Sequence, residues 1–232
     1  VMTNIYLVRH CESYGNTVRI FQGHYDTDIT EMGQVQLDAL SERFKDKKLD
    51  AVISSPLKRT RKTAEAINKY HGLPIIIDEG FIEINGGKLE GMGWEEIRDN
   101  YPEQAYNWVR EIYNFQGDGG DKASDVAKRG FDAIRRIAKE YKGKNVAIAT
   151  HGGLIRFSMS LISGGKIEDM VKICWPNNTA ITHLQFDDDL NCTIKFYNDN
   201  AHLDGIDFVE VWSQIDAECK YPLSDKWSNR EK

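Results

Sequence analysis

The sequence predicts an α/β fold, a three-layer α/β/α arrangement around a mostly parallel central sheet. Three observations carry that reading. Ile5–Val8, Ala51–Ile53, Ile75–Ile77 and Val146–Ala149 are short apolar runs of the kind that form strands buried on both faces. The stretches between them place apolar residues at helical spacing, and strands alternating with helices imply parallel βαβ units with helices on both sides of the sheet. Finally, the 232 residues contain no internal repeat and no Pro/Ser-rich linker, so a single domain accounts for them best.

Taken in order, the first strand is Ile5–Val8. The first helical pattern starts at Thr30, whose hydroxyl suits an N-cap, and continues through Met32, Val35, Leu37, Leu40 and Phe44. After the second strand, Ala51–Ile53, Ser55-Pro56 reads as N-cap and first helical residue, with Leu57, Ala64 and Ile67 on one face. The third strand is Ile75–Ile77. A helix over 124–141 follows, with Val126, Ile134, Ile137 and Tyr141 in phase, and leads into the strand Val146–Ala149. Alternation over Thr179–Phe186, a turn at Asp187-Asp188-Asp189 and a β-rich stretch over Cys192–Tyr197 predict a hairpin that adds antiparallel edge strands.

The formal charge is −6, which disfavours non-specific nucleic-acid binding. The charge is uneven: +2 over 1–72, −2 over 73–186 and −6 over 187–232. The bulk of the chain is therefore neutral and can still build a basic pocket. No run of eighteen apolar residues offers a membrane span, and the N-terminus enters a strand directly, so a cytoplasmic protein is expected. Cys11, Cys174, Cys192 and Cys219 lack metal-ligand spacing and read as reduced thiols, with Cys174 and Cys192 as small core residues.

Two of the strands deliver a histidine to one sheet edge. Arg9-His10 follows the first strand and Thr150-His151-Gly152-Gly153 follows the fourth, where open α/β sheets bind ligands. Arg59 lies near the start of the helix after the second strand, a place suited to an anion, although Lys58, Arg61 and Lys62 beside it also fit a solvated basic face. His24, His71 and His183 read as ordinary core or surface histidines.

At these residues the chain resembles the histidine phosphatase superfamily, also called phosphoglycerate-mutase-like. The resemblance rests on Leu7-Val8-Arg9-His10-Cys11-Glu12-Ser13 with Asn16, Phe21-Gln22-Gly23, Asp28-Ile29-Thr30 and Gly33. In order there follow Ser54-Ser55-Pro56-Leu57 to Arg59-Thr60, Phe81-Ile82-Glu83-Ile84 to Leu89-Glu90-Gly91, Asp125-Val126 to Arg129, Thr150-His151-Gly152-Gly153 and Asn178-Thr179. It covers about residues 4–203, leaving 204–232 as an acidic extension whose Phe208, Val209, Val211, Trp212 and Ile215 are expected to dock on the domain.

The resemblance implies hydrolysis of a phosphomonoester through a phosphohistidine. His10 is then the nucleophile, and Arg9, Arg59, His151 and Asn16 hold phosphoryl oxygens. Glu83 is the general acid and base, and Gln22, Gly23 and Gly152 complete the phosphate and substrate site. The scheme calls for no metal and no cofactor. The expected partner is a small phosphorylated metabolite, with neither nucleic acid nor membrane, and a homo-oligomer is left open. Cys11 stands where the family most often has Gly, which raises the questions of backbone strain and of a redox-sensitive thiol.

Hydrolysis is favoured over the alternative, a cofactor-dependent phosphoglycerate mutase. Gln22-Gly23 resembles the phosphatase branch, and the interval from Glu83 to His151 is short for a mutase. A non-catalytic phosphate-binding relative is the second alternative; the presence of all five of Arg9, His10, Arg59, Glu83 and His151 speaks against it. Specificity is expected from 91–121, a variable helical segment whose Trp94, Tyr101, Tyr106, Trp108, Tyr113 and Phe115 can line a pocket or pack as core. Lys88 and Arg110 are candidates for binding a second anionic group.

Overall fold

The computed structural model describes residues 1–208. Six strands form one sheet in the order β3-β2-β4-β1-β5-β6: β1 (Thr3–Arg9), β2 (Ala51–Ser54), β3 (Ile75–Ile77), β4 (Asn145–Thr150), β5 (Ile181–Phe186) and β6 (Cys192–Asp199). The first four are parallel, and β5 and β6 extend the edge beside β1 as the antiparallel hairpin that the alternation predicts. The three-layer α/β/α expectation holds.

Period-two alternation within the strands divides the core into two layers. Ile5, Leu7, Ile53 and Ile148 face the side covered by α6 (Ala123–Glu140) and α7 (Gly152–Ile162). Tyr6, Val8, Val52 and Ala149 face α2 (Glu31–Phe44), which follows the one-turn α1 (Tyr14–Thr17), and α3 (Lys58–Asn68). The Thr30 hydroxyl accepts from the Gly33 amide and caps α2, whose Leu37, Leu40 and Phe44 are buried while Val35 turns to solvent.

Three local expectations need correction. β3 is not a buried strand: among the described residues it pairs only with β2, and Ile76 and Ile77 are exposed. The helix α3 begins at Lys58 with Leu57 at its N-cap, so Ser55 does not cap it and Pro56 precedes it. The Ser55 hydroxyl is instead taken by His151. Cys174 and Cys192 are only half-buried rather than core residues. No described helix is long and apolar enough to cross a membrane. The docking expected of 204–232 falls mostly on 209–232, outside the described residues.

Beyond the sheet lie α4 (Trp94–Asn100) and α5 (Pro102–Arg110). Phe21, Trp94, Trp108, Phe115, Phe157 and Trp175 interlock there, with Trp108 centred 4.7–5.4 Å from Phe21, Trp94, Phe115 and Trp175. The aromatics of 91–121 divide between the two sequence readings: Trp94 and Trp108 line a pocket, Phe115 is core, and Tyr106 is exposed.

Candidate active site

Strand register builds the site. Arg9 lies opposite Thr150 and Ser54 opposite Ala149, so the residues that follow, His10, His151 and Ser55, emerge side by side from three adjacent parallel strands. The backbone locks the arrangement: the His10 amide donates to the Thr150 carbonyl at 2.9 Å and the Ser55 amide to the Ala149 carbonyl at 3.0 Å. The two imidazole rings end 5.4 Å apart between centroids.

His10 Nδ1 lies 2.7 Å from the Cys11 carbonyl. A carbonyl can only accept, so Nδ1 carries the proton and the Nε2 lone pair is left free. Burial, then the charges of Arg59 and Arg9, hold the His10 pKa well below the ordinary histidine value. His151 is depressed likewise by burial, Arg59 and His10. Its Nε2 is 2.7 Å from the Ser55 Oγ, and its Nδ1 is buried with no hydrogen-bond partner among the described residues.

Arg59, at the second position of α3, is fully buried, which settles the question of a solvated basic face. One Nη donates to Asp26 Oδ1 at 2.9 Å and the other to the Gly23 carbonyl at 2.7 Å, while Nε has no hydrogen-bond partner among the described residues. A Cβ on Gly23 would lie 2.0 Å from the Ile84 carbonyl oxygen, so this loop requires glycine for close approach. Arg9 donates to the Pro176 carbonyl at 2.6 Å and runs beside Gly152, whose added Cβ would lie 3.1 Å from its Nε.

The Glu83 carboxylate sits at the N-terminus of α7. Oε2 accepts from the Gly153 amide at 2.9 Å, and Oε1 accepts from the Leu154 and Ile84 amides at 3.0 Å each. Asn16 and Gln22 meet around Ser13: Gln22 Nε2 donates to Ser13 Oγ at 2.9 Å, and Asn16 Oδ1 accepts from the Ser13 amide at 3.0 Å. Arg9, His10, Asn16, Gln22, Glu83 and Gly152 line one pocket, and Arg59, His151 and Gly23 adjoin that lining: the His151 ring neighbours His10, and Arg59 donates to the Gln22 and Gly23 carbonyls. All nine site residues singled out in the sequence are brought together.

Other residues act from behind, with roles that no local pattern announces. Glu90 accepts from the amides of Gly23, His24, Tyr25 and Gly86, clasping the loop that carries Gln22 and Gly23. Arg129 donates to the carbonyls of Gly80, Ile82 and Glu83, and His24 Nε2 meets the Glu83 carbonyl at 3.0 Å. Cys11 is fully buried and not at positive φ, so no glycine is required there. Burial pushes its thiol up to about 12, which leaves little thiolate for oxidation. Lys88 is exposed and paired with Asp118, and neither it nor Arg110 lines the pocket.

The family model described as histidine phosphatase superfamily (branch 1) matches residues 5–200. The chain belongs to the histidine phosphatase superfamily. It is a phosphatase of that superfamily. Over 204 residues this histidine phosphatase is 32% identical to the uncharacterised phosphatase PhoE of Bacillus subtilis (strain 168), covering 88% of this chain and 98% of that one. It is 33% identical over 227 residues to the metal-independent phosphoserine phosphatase of Arabidopsis thaliana, covering 93% and 90% respectively. The solved structure of Bacillus stearothermophilus YhfR matches with a TM-score of 0.82 and 27% identity, over 87% of this chain and 99% of that one.

Proposed function

We propose that this histidine phosphatase hydrolyses a small phosphorylated metabolite through a phosphohistidine on His10, without a metal. The observation that carries the reading is the set of unpaired buried groups around His10. A buried donor left unsatisfied costs about 1–3 kcal/mol. Arg59 Nε and His151 Nδ1 are two such groups beside a neutral imidazole, and an anion with several acceptor oxygens satisfies them.

His10 Nε2 attacks phosphorus in line while Arg9, Arg59, His151 and Asn16 take the equatorial oxygens. His151 is neutral, so it owns one N–H. When the Ser55 hydroxyl donates to Nε2, that proton resides on Nδ1 and points to a phosphoryl oxygen. Glu83 protonates the departing oxygen and then, as a carboxylate, takes a proton from the water that attacks the phosphohistidine. The guanidinium charges of Arg9 and Arg59 neutralise the phosphoryl group, which supports metal independence, as does the name of the Arabidopsis relative.

Hydrolysis rather than phosphoryl return is supported by Gln22-Gly23 and by the short interval between Glu83 and His151. His10→Ala is expected to abolish p-nitrophenyl phosphate hydrolysis, and wild-type turnover is expected to persist in EDTA. A screen for phosphate release, run beside an assay of 2-/3-phosphoglycerate interconversion, separates phosphatase from mutase. Equal or greater mutase turnover overturns the reading.

A further inference from the structure

We propose that the leaving group this enzyme accepts is an apolar, ring-sized alcohol carrying neither carboxylate nor ammonium. The inference rests on the phosphomonoesterase reading above and deepens it by naming the substrate class. Away from the groups that handle the phosphoryl, the pocket wall is Ile20, Phe21, Ile84, Trp94, Trp108 and Trp175. Phe21 and Trp175 are centred 5.0 and 5.3 Å from Trp108, so these rings are braced against one another. Such a wall offers stacking faces to a flat group.

A charged leaving group finds no counterpart there. The described residues lining the pocket include no lysine, and their one guanidinium, Arg9, belongs to the phosphoryl end. Lys88 is held by Asp118 at the surface. Arg110 lies in an outer groove over α4 and α5 and not in the pocket. The Glu90 carboxylate is occupied by four amides and cannot meet an ammonium. The one carboxylate among the described lining residues, Glu83, is committed to the Gly153, Leu154 and Ile84 amides and to the proton of the leaving oxygen. A phosphoserine-like zwitterion would therefore find no free carboxylate for its ammonium and would bring its own carboxylate against aromatic rings without a cation, which is strongly disfavoured. The Trp108 indole N–H in this wall is buried without a hydrogen-bond partner among the described residues and can serve an acceptor atom on the leaving group.

The test uses the full chain and esters of primary alcohols, so that leaving-group activation is comparable: 2-phenylethyl phosphate, O-phosphoserine, phosphoethanolamine and methyl phosphate. The kcat/KM for 2-phenylethyl phosphate should exceed that for O-phosphoserine and phosphoethanolamine by at least about tenfold, the scale expected from burying a ring. Trp108→Ala should narrow the preference for 2-phenylethyl over methyl phosphate. The wild-type comparison stands even if that variant does not fold. Phosphoserine turned over as well as or better than 2-phenylethyl phosphate overturns the inference and leaves the phosphatase reading intact. No turnover of any ester, p-nitrophenyl phosphate included, and no binding of vanadate would overturn the underlying reading, and this inference with it.

Discussion

Substituting Gly153 by Ala separates catalysis from folding. A Cβ built on Gly153 lies 2.5 Å from Glu83 Oε1, 3.0 Å from Cδ and 3.1 Å from Oε2. Ordinary contact begins at 3.4 Å, so the carboxylate must retreat by about 0.9 Å. Its bonds to the Gly153 and Leu154 amides are now 2.9 and 3.0 Å, and that retreat takes both beyond hydrogen-bond range. The atom displaced is the end of a flexible side chain, and Gly153 is a helical residue of ordinary φ, where Ala gains roughly 0.5–1 kcal/mol of helix preference. Stability should therefore change little. Misplacing a general acid costs on the order of a hundredfold when the leaving group needs its proton. The assay compares Gly153→Ala with wild type on methyl phosphate and on p-nitrophenyl phosphate, whose leaving group departs as the anion. Loss in kcat/KM, which reports formation of the phosphohistidine and not its hydrolysis, should approach a hundredfold on the first and stay under about tenfold on the second, with the melting temperature within a few degrees. Equal losses on both esters, or none on either, would refute the role of Glu83.

Four further outcomes are expected. Ser55→Ala should lower kcat by roughly tenfold and shift the His151 tautomer in 15N NMR, a signature that a packing role would not give. His10 and His151 should titrate below the ordinary value of 6.5, and Arg59→Met should raise the His10 midpoint seen by NMR. Because the unfolded chain takes up protons at these histidines before the folded chain does, stability should fall as the pH drops below about 6.5, which urea titrations at several pH values would check. Gly23→Ala, whose methyl meets a backbone oxygen at 2.0 Å rather than a movable side chain, should lower the melting temperature as well as activity.

The parts of this fold that depend on local pattern were legible in the sequence. Apolar runs marked β1, β2 and β4, the Thr30 cap marked α2, and the matched positions of His10 and His151 at strand ends followed from those. Features decided by distant partners were not. Ser55-Pro56 has a good helix-start signal, yet the hydroxyl binds a histidine 96 positions away, and a site contact overrides the local preference. Ile76 and Ile77 have the composition of buried strand, but whether a neighbour covers them depends on the sheet order. Glu90 lay among several other acidic residues, and nothing local distinguishes the carboxylate that gathers amides from two loops. Arg59 was ambiguous for the same reason: its burial and its Asp26 partner exist only after folding.

The central claim is that His10 carries the phosphoryl group. Rapid mixing of wild-type enzyme with a 32P-labelled monoester, followed by alkaline quench and peptide mapping, tests it most directly. The account predicts a base-stable, acid-labile phosphoryl group on His10 that forms and decays at rates compatible with turnover. Label on another residue, or steady turnover with no phosphoenzyme at any time point and no pre-steady-state burst of alcohol release, would contradict it.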